Sequence, residues 1–227
     1  MAEKVFIVSY PRSGQGMIAR LLRDIYKFYD MEYSYCGFYR SSRNCGCNKA
    51  PCKKKRIFQK NHDFGSKMKI RDEYKYLVLY RKDYIYQLEA FFRFSFRIKL
   101  KGKARQKFRR DGQWFNGAFK YENPTLFNRL IGFIKKRRRG YDNFVKKWVH
   151  NNRQNCLHID YEDFLKNPVD NILTMLRFLE PDQELESKFT RLLISKILTD
   201  RDETIESRYQ LDTKIYSKIK DIIEESQ

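Results

Sequence analysis

The chain has 227 residues, enough for one well-buried domain and too few for two of ordinary size. Hydrophobic residues make up 41% and aromatics 16%, with only 10 glycines and 5 prolines, which excludes a disordered or collagen-like chain. Lys and Arg number 48 against 28 Asp and Glu, a net charge of +20, and the excess is uneven: residues 1–153 hold 38 basic and 12 acidic side chains, residues 154–227 hold 10 and 16. A field of that size serves solubility and also gathers anions, whether nucleotides, sulfated or phosphorylated substrates, nucleic acid or anionic lipid. No apolar run approaches the roughly 20 residues of a membrane span. The opening Met1–Ile7 lacks the apolar stretch and small-residue cleavage site of a signal peptide, so a cytoplasmic protein is expected.

Lys4–Ser9 is a short apolar run rich in β-branched residues, as a buried parallel strand would be. Tyr10-Pro11-Arg12-Ser13-Gly14-Gln15-Gly16 is turn chemistry, and Met17, Ile18, Leu21, Leu22 and Ile25 follow at helical spacing. Residues 31–56 lack a clean period, contain four of the five cysteines and read as a Cys-rich loop. A short segment Arg56–Lys60 leads into Asn61-His62-Asp63. A second buried strand, Tyr76–Tyr80, runs into Arg81 and a helix from about Asp83 to Phe96. The stretch 97–140 reads as a basic, aromatic insertion, followed by a helix over Tyr141–Asn151. A third strand, Cys156–Asp160, precedes a turn over Tyr161–Leu165. Pro168 then sits at the first position of a helix to Leu179, and two helical segments, about Leu185–Leu198 and Thr213–Glu224, close the chain. Strands alternating with helices predict an α/β fold: a single three-layer domain over residues 1–227, its central parallel sheet flanked by helices.

The opening strand, glycine-bearing loop and helix form an anion-binding device. The exposed N–H groups of the first helical turn converge, the helix dipole adds partial positive charge, and Arg12 contributes a planar donor fork. The Gly-x-x-x-x-Gly-Lys-Ser/Thr phosphate loop is absent, because no Lys-Ser or Lys-Thr follows Gly16, which counts against an ATPase or GTPase.

Tyr10-Pro11-Arg12-Ser13-Gly14 resembles the 5′-phosphosulfate loop of sulfotransferases that use 3′-phosphoadenosine 5′-phosphosulfate (PAPS), with Gln15, Gly16 and Met17 where that family has two small residues and often Trp. Tyr76–Arg81 resembles the family's strand ending in the Arg that holds the 3′-phosphate. Tyr161-Glu162-Asp163 with Asn167-Pro168 resembles its third landmark, whose Tyr lies near the adenine, and Trp148 stands where the family commonly has a Trp. Three blocks in order are more specific than any one. The resemblance covers most of the chain, with gaps at 31–56 and 97–140, and implies a P-loop-like nucleotide-binding architecture. It further implies PAPS as sulfate donor and adenosine 3′,5′-bisphosphate (PAP) as product. Arg12, Ser13, Gly14, Gln15, Gly16, Met17, Arg81 and Tyr161 would be the cofactor-binding residues.

Two departures stand out. The Ser that the family places eight residues after the phosphate-binding Arg is here Glu89, which repels a phosphate; either the register differs or Glu89 points elsewhere. The C-terminal Arg-Lys-Gly segment of the animal cytosolic branch is missing, with Arg201 and Arg208 the nearest substitutes.

Sulfuryl transfer to a hydroxyl needs a base for the acceptor proton and charge stabilisation on the leaving oxygen. Of three histidines, His150 and His158 read as structural. Lys60-Asn61-His62 resembles the family's Lys-x-His segment, in which the His is the catalytic base, and alternation in an extended segment puts Lys60 and His62 on one face. His62 is therefore expected as general base, with Lys60 and Arg12 neutralising charge that develops in transfer. Asp63 either orients the imidazole or faces away, and Glu89 is the fallback base. No metal is expected at this site.

Cys36, Cys45, Cys47 and Cys52 allow a zinc site, two disulfides or reduced thiols; Cys156 reads as core. The insertion mixes Phe108, Trp114, Phe115, Phe119, Tyr121 and Phe127 with cations, which suits an anionic sugar or planar ring, single-stranded nucleic acid, or simply a solvated basic face. The expected acceptor is a hydroxyl or amine of a glycan or small molecule, with no obligatory nucleic acid. The competing readings are a basic nucleic-acid-binding protein and a P-loop-type nucleotide kinase.

Overall fold

A computed structural model describes residues 4–37, 50–54, 56–63, 67–99, 121–183, 185, 188–199 and 211–225. Their contacts group into two compact units, Met1–Lys82 with Asn143–Glu203, and Asp83–Asp142 with Thr204–Gln227.

The first unit is built on five parallel strands, β1 (Lys4–Ser9), β2 (Tyr35–Cys36), β3 (Phe58–Asn61), β4 (Tyr74–Tyr80) and β5 (Cys156–Asp160), in the order β2-β3-β1-β4-β5. Strand alternation sends side chains to opposite faces. Val5, Ile7, Leu77, Leu79 and Ile159 face a core built with Ile18, Leu21, Leu22 and Ile25 of α1 (Gln15–Phe28). Ile172, Leu173 and Leu176 join them from the helix Pro168–Leu179, and Ile194 from the helix Lys188–Thr199. On the other face Phe6 stacks on Tyr76 with ring centroids 5.6 Å apart, Tyr76 meets Trp148 at 5.3 Å, and Tyr10 meets Phe144 edge-on at 5.7 Å. The three-layer parallel α/β architecture expected from the sequence is thus present.

Register aligns the strand ends. Val8 pairs with Asn61, Ser9 with Leu79, and Leu79 with Ile159. His62 therefore leaves the sheet one residue after its last pairing with β1, and Arg81 and Tyr161 leave β4 and β5 at the same edge. In parallel sheets that carboxyl edge, where the strand order reverses, is where ligands bind.

Three elements differ from the sequence expectation. Tyr35–Cys36, read as loop, pairs with Phe58–Gln59 as an edge strand too short to show a period. Tyr161–Lys166, read as a turn, is a helix (α4; the helices Tyr84–Lys99 and Pro124–Phe144 are α2 and α3). Its cause is local: the Asp160 carboxylate accepts from the Asp163 N–H at 3.0 Å, and Phe164 is buried. Finally, the end of the expected insertion, from Pro124, and the first residues of the helix expected after it form the single 21-residue α3, which passes into a π turn at Val145–Val149. Asn123 caps α3, its Oδ1 accepting from the N–H groups of Thr125 and Leu126, and Pro124 takes the first helical position. Pro168 opens α5 (Pro168–Leu179) as expected; α6 (Lys188–Thr199) and α7 (Thr213–Glu224) follow.

In the second unit Asp83 caps α2 through Ile85 N–H and accepts from the Tyr216 hydroxyl of α7 at 2.6 Å, beside the stacked Tyr86–Tyr216 pair. The Arg138 guanidinium lies 3.5 Å from the Tyr84 ring centroid. Among the described residues no helix is long and apolar enough to cross a membrane.

Candidate active site

The loop after β1 carries two residues in the left-handed region, Arg12 (φ +75°) and Gly14 (φ +76°). Gly14 is the N-cap of α1, and only glycine fits: a Cβ there would stand 2.6 and 2.7 Å from ring carbons of Tyr161. Gly16 is exposed and faces open space, so packing within the protein does not require its small size. The Gly14 carbonyl accepts from the N–H groups of Met17 (2.9 Å) and Ile18 (3.1 Å). Among the described residues no side chain caps α1, so the amides of Gln15 and Gly16 remain to meet an anion at the dipole's positive end. The Ser13 hydroxyl turns inward to the Tyr10 carbonyl at 3.0 Å and closes the turn. Of the expected loop residues, Met17 is the least suited to a ligand, since its N–H is spent inside the helix.

Arg81 leaves β4 buried, 4% exposed. Its guanidinium lies over the Tyr161 ring, 4.6 Å from the centroid, and its Nε is 3.2 Å from Glu162. Tyr161 is thus held between Gly14 and Arg81, which joins three of the sequence blocks physically. Asp160 ties the same ends together: one carboxylate oxygen caps α4, the other accepts from the Lys82 N–H at 2.9 Å. Asp160 and Ser9 were not singled out in the sequence. Their signal is a polar residue ending an apolar strand.

Lys60, within β3, and His62, the residue after its end, lie beside this loop. The His62 Nδ1 lies 3.1 Å from both the carbonyl and the hydroxyl oxygen of Ser9. A carbonyl only accepts, so Nδ1 carries the proton and Nε2 is the basic nitrogen of the neutral ring. His62 is half-buried. Burial, then the Lys60 charge, then that of Arg12 hold the imidazole down to about 3, while the hydrogen bond to Ser9 works the other way. Burial first and Arg12 second lower the Lys60 ammonium from its ordinary value. The structure therefore gathers Arg12, Lys60 and His62 into one electrostatic cluster.

Asp63 faces away from the imidazole. Its carboxylate accepts from Lys147 Nζ at 2.6 Å, Trp148 Nε1 at 2.8 Å and the Met68 N–H at 2.8 Å. Trp148, fully buried, anchors the segment that carries His62 by this bond. A cavity of about 360 Å³ lined by Phe6, Pro51, Asn61, Asp63, Lys69 and Tyr74 flanks that segment without including the loop after β1. His158 Nε2 bonds the Trp148 carbonyl at 2.8 Å, a structural role, as expected.

Glu89 belongs to the second unit. It is 1% exposed and accepts from Arg93 Nε and, at 2.6 Å, from the Tyr121 hydroxyl. Burial, then Glu89, raises the Tyr121 phenol. Within the second unit the Glu89 carboxylate is thus engaged by these two donors. Cys36 and Cys52 are buried in one small apolar cluster. Cys45, Cys47, Phe108, Trp114, Phe115, Phe119, Arg201 and Arg208 lie outside the described residues, while Tyr121 and Phe127 are buried.

No family model and no curated protein matches the sequence. Among solved structures, retinol dehydratase in complex with retinol and PAP superposes with a TM-score of 0.58 at 17% identity, over 99% of this chain and 81% of that one. The chain has a sulfotransferase-like fold. Retinol dehydratase with androsterone and the inactive cofactor PAP superposes similarly, with a TM-score of 0.59, 17% identity, 99% of this chain and 80% of that one. A sulfotransferase domain from the curacin biosynthetic pathway, 15% identical over 99% of this chain and 98% of that one, reaches a TM-score of only 0.39, too low to carry an argument.

Proposed function

We propose that the chain is a PAPS-dependent sulfotransferase, moving a sulfuryl group to a hydroxyl or amine of a glycan or small-molecule acceptor by in-line transfer, with His62 as general base. One observation carries this reading: the ends of four adjacent strands bring Arg12–Gly16, Lys60, His62, Arg81 and Tyr161 to one sheet edge. The donor set fits a nucleotide with two separate anionic groups. Open space over Gly16, the first amides of α1, Arg12 and Lys60 suit the 5′-phosphosulfate; Arg81, stacked on Tyr161, suits the 3′-phosphate and a neighbouring adenine. The solved relatives with this fold were crystallised with PAP, which supports the same donor class here.

PAPS supplies a sulfur already activated by its bond to the 5′-phosphate. As the acceptor oxygen bonds to sulfur, the bond to the phosphate oxygen breaks, and the acceptor proton passes to His62 Nε2. Ser9 holds the ring in the tautomer that leaves Nε2 basic. Lys60 and Arg12 meet the charge arriving on the leaving oxygen, where fixed cations out of bulk water act most strongly. The same two cations depress His62 in the ligand-free protein, so an anionic donor that neutralises them strengthens the base when it is needed. This proposal takes a small molecule or saccharide as acceptor and the cytoplasm as the site of action.

Labelled sulfate transfer from PAPS across saccharide, phenol, steroid and amine acceptors tests the reading. Transfer to one class, abolished in His62→Ala, is expected; no transfer to any class by protein that binds PAP would contradict it.

A further inference from the structure

Gln15 is 3% exposed, and the mechanism above gives its side chain no task. Its Nε2 donates to the Ile7 carbonyl of β1 and, at 3.2 Å, to the Asn61 carbonyl that ends β3. Both acceptors are carbonyls, so the amide can face only one way. The Asn61 carbonyl belongs to the peptide leading directly into His62. Gln15 is also the first residue of α1, so its backbone N–H stands among the amides that face an anion while its side chain grips the strand that bears the base. A small residue at this position would reach neither carbonyl. Ser9 provides a parallel link from β1 to the imidazole itself. The base is thus tied to the loop-bearing strand twice, at its peptide and at its ring. The Gln15 Oε1 has no hydrogen-bond donor among the described residues, so the side chain's polar engagement lies wholly in this bridge.

We infer that Gln15 is a positioning residue that couples occupancy of the donor loop to the placement of His62. The inference rests on the sulfuryl-transfer reading above. It names a residue that acts through the base and touches neither donor nor acceptor with its side chain.

The test uses the full chain with 15N-labelled histidine, where three imidazoles keep the spectrum simple. Gln15→Met keeps length and volume while removing the bridging donor together with the orphaned acceptor, so the fold should survive. Gln15→Glu keeps the shape but sets a carboxylate against two carbonyls and should be the worse variant. In wild type, PAP should shift the His62 ring resonances. In Gln15→Met, PAP affinity by calorimetry should stay within threefold, the PAP-induced His62 shift should fall below half, and kcat should fall at least tenfold with KM for PAPS unchanged. An undiminished His62 shift in Gln15→Met, or proportional losses of PAP affinity and kcat, would overturn the coupling. If wild type ignores PAP, the donor reading fails and the tie itself is judged in ligand-free protein. There, amide exchange at Asn61–Asp63 should be at least tenfold faster in Gln15→Met; unchanged exchange would overturn it.

Discussion

Gly14 caps α1 and Gly16 lies two residues on in its first turn, and the structure asks different things of them. A side chain at Gly14 would enter both a left-handed backbone and the Tyr161 ring. Gly14→Ala should therefore lose roughly 1–3 kcal/mol of stability by denaturant unfolding and release Tyr161 from Arg81. Gly16→Ala should unfold at or slightly above the wild-type midpoint, since alanine favours the helix by about 1 kcal/mol. Its methyl group fills the space proposed for the phosphosulfate, however, and should weaken PAP about tenfold, or ~1.4 kcal/mol. Equal PAP affinity in Gly16→Ala and wild type would remove that space from the site.

His62 makes a pH prediction with a definite sign. Its imidazole is held down to about 3 in the folded chain, while an unfolded histidine titrates near 6.5. Between those values the unfolded chain binds the extra proton, so stability is full above about 6.5 and falls as pH drops toward 3. Melting temperature should decline over that window, and more shallowly in His62→Gln; parallel slopes would show that His62 is not buried as a neutral base. With saturating donor the acid limb of kcat should lie above the ligand-free His62 midpoint, because the donor cancels the Lys60 and Arg12 charges. His62→Ala should keep PAP affinity and lose ~10²–10⁴ in kcat.

At the scale of elements, α4 shows how one carboxylate builds a site edge. Asp160 ends β5, caps the six-residue α4 and holds the Lys82 N–H at the end of β4. Asp160→Ala should cost about 1–2 kcal/mol, as a lost cap does, and weaken PAP by loosening the turn that carries Arg81. Asp160→Asn, which keeps an acceptor oxygen, should recover most of the stability. The elements legible in the sequence are those whose signal is local and periodic: the apolar runs Lys4–Ser9 and Cys156–Asp160 and the amphipathic Thr213–Glu224 lie where the residues put them. α3 went unrecognised although Phe127, Leu130, Ile131, Ile134 and Tyr141 recur on one face, because the run Lys135–Arg139 dominates its composition. α4 depends on a single cap that a turn would share, and β2 owes its two paired residues to β3 rather than to its own pattern. In the site, motif order pointed to residues that strand register then brings together. Ser9, Asp160 and the inward turn of Gln15 are long-range hydrogen bonds that no spacing reveals.

For the whole molecule, the excess of cations over residues 1–153 should act chiefly on encounter with an anionic donor. The association rate for PAP should fall steeply as ionic strength rises, since screening shortens to about 8 Å near 0.15 M salt, while dissociation should change less. The sheet edge formed by Arg12–Gly16, Lys60, Arg81 and Tyr161 should hold a doubly anionic adenine nucleotide using protein cations alone. Thermal unfolding with PAP in chelator-treated buffer tests it most directly. At a hundredfold excess over Kd, PAP should stabilise the fold by about 2.7 kcal/mol without any metal; no shift with PAP, together with a clear shift with ATP and Mg²⁺, would contradict the account.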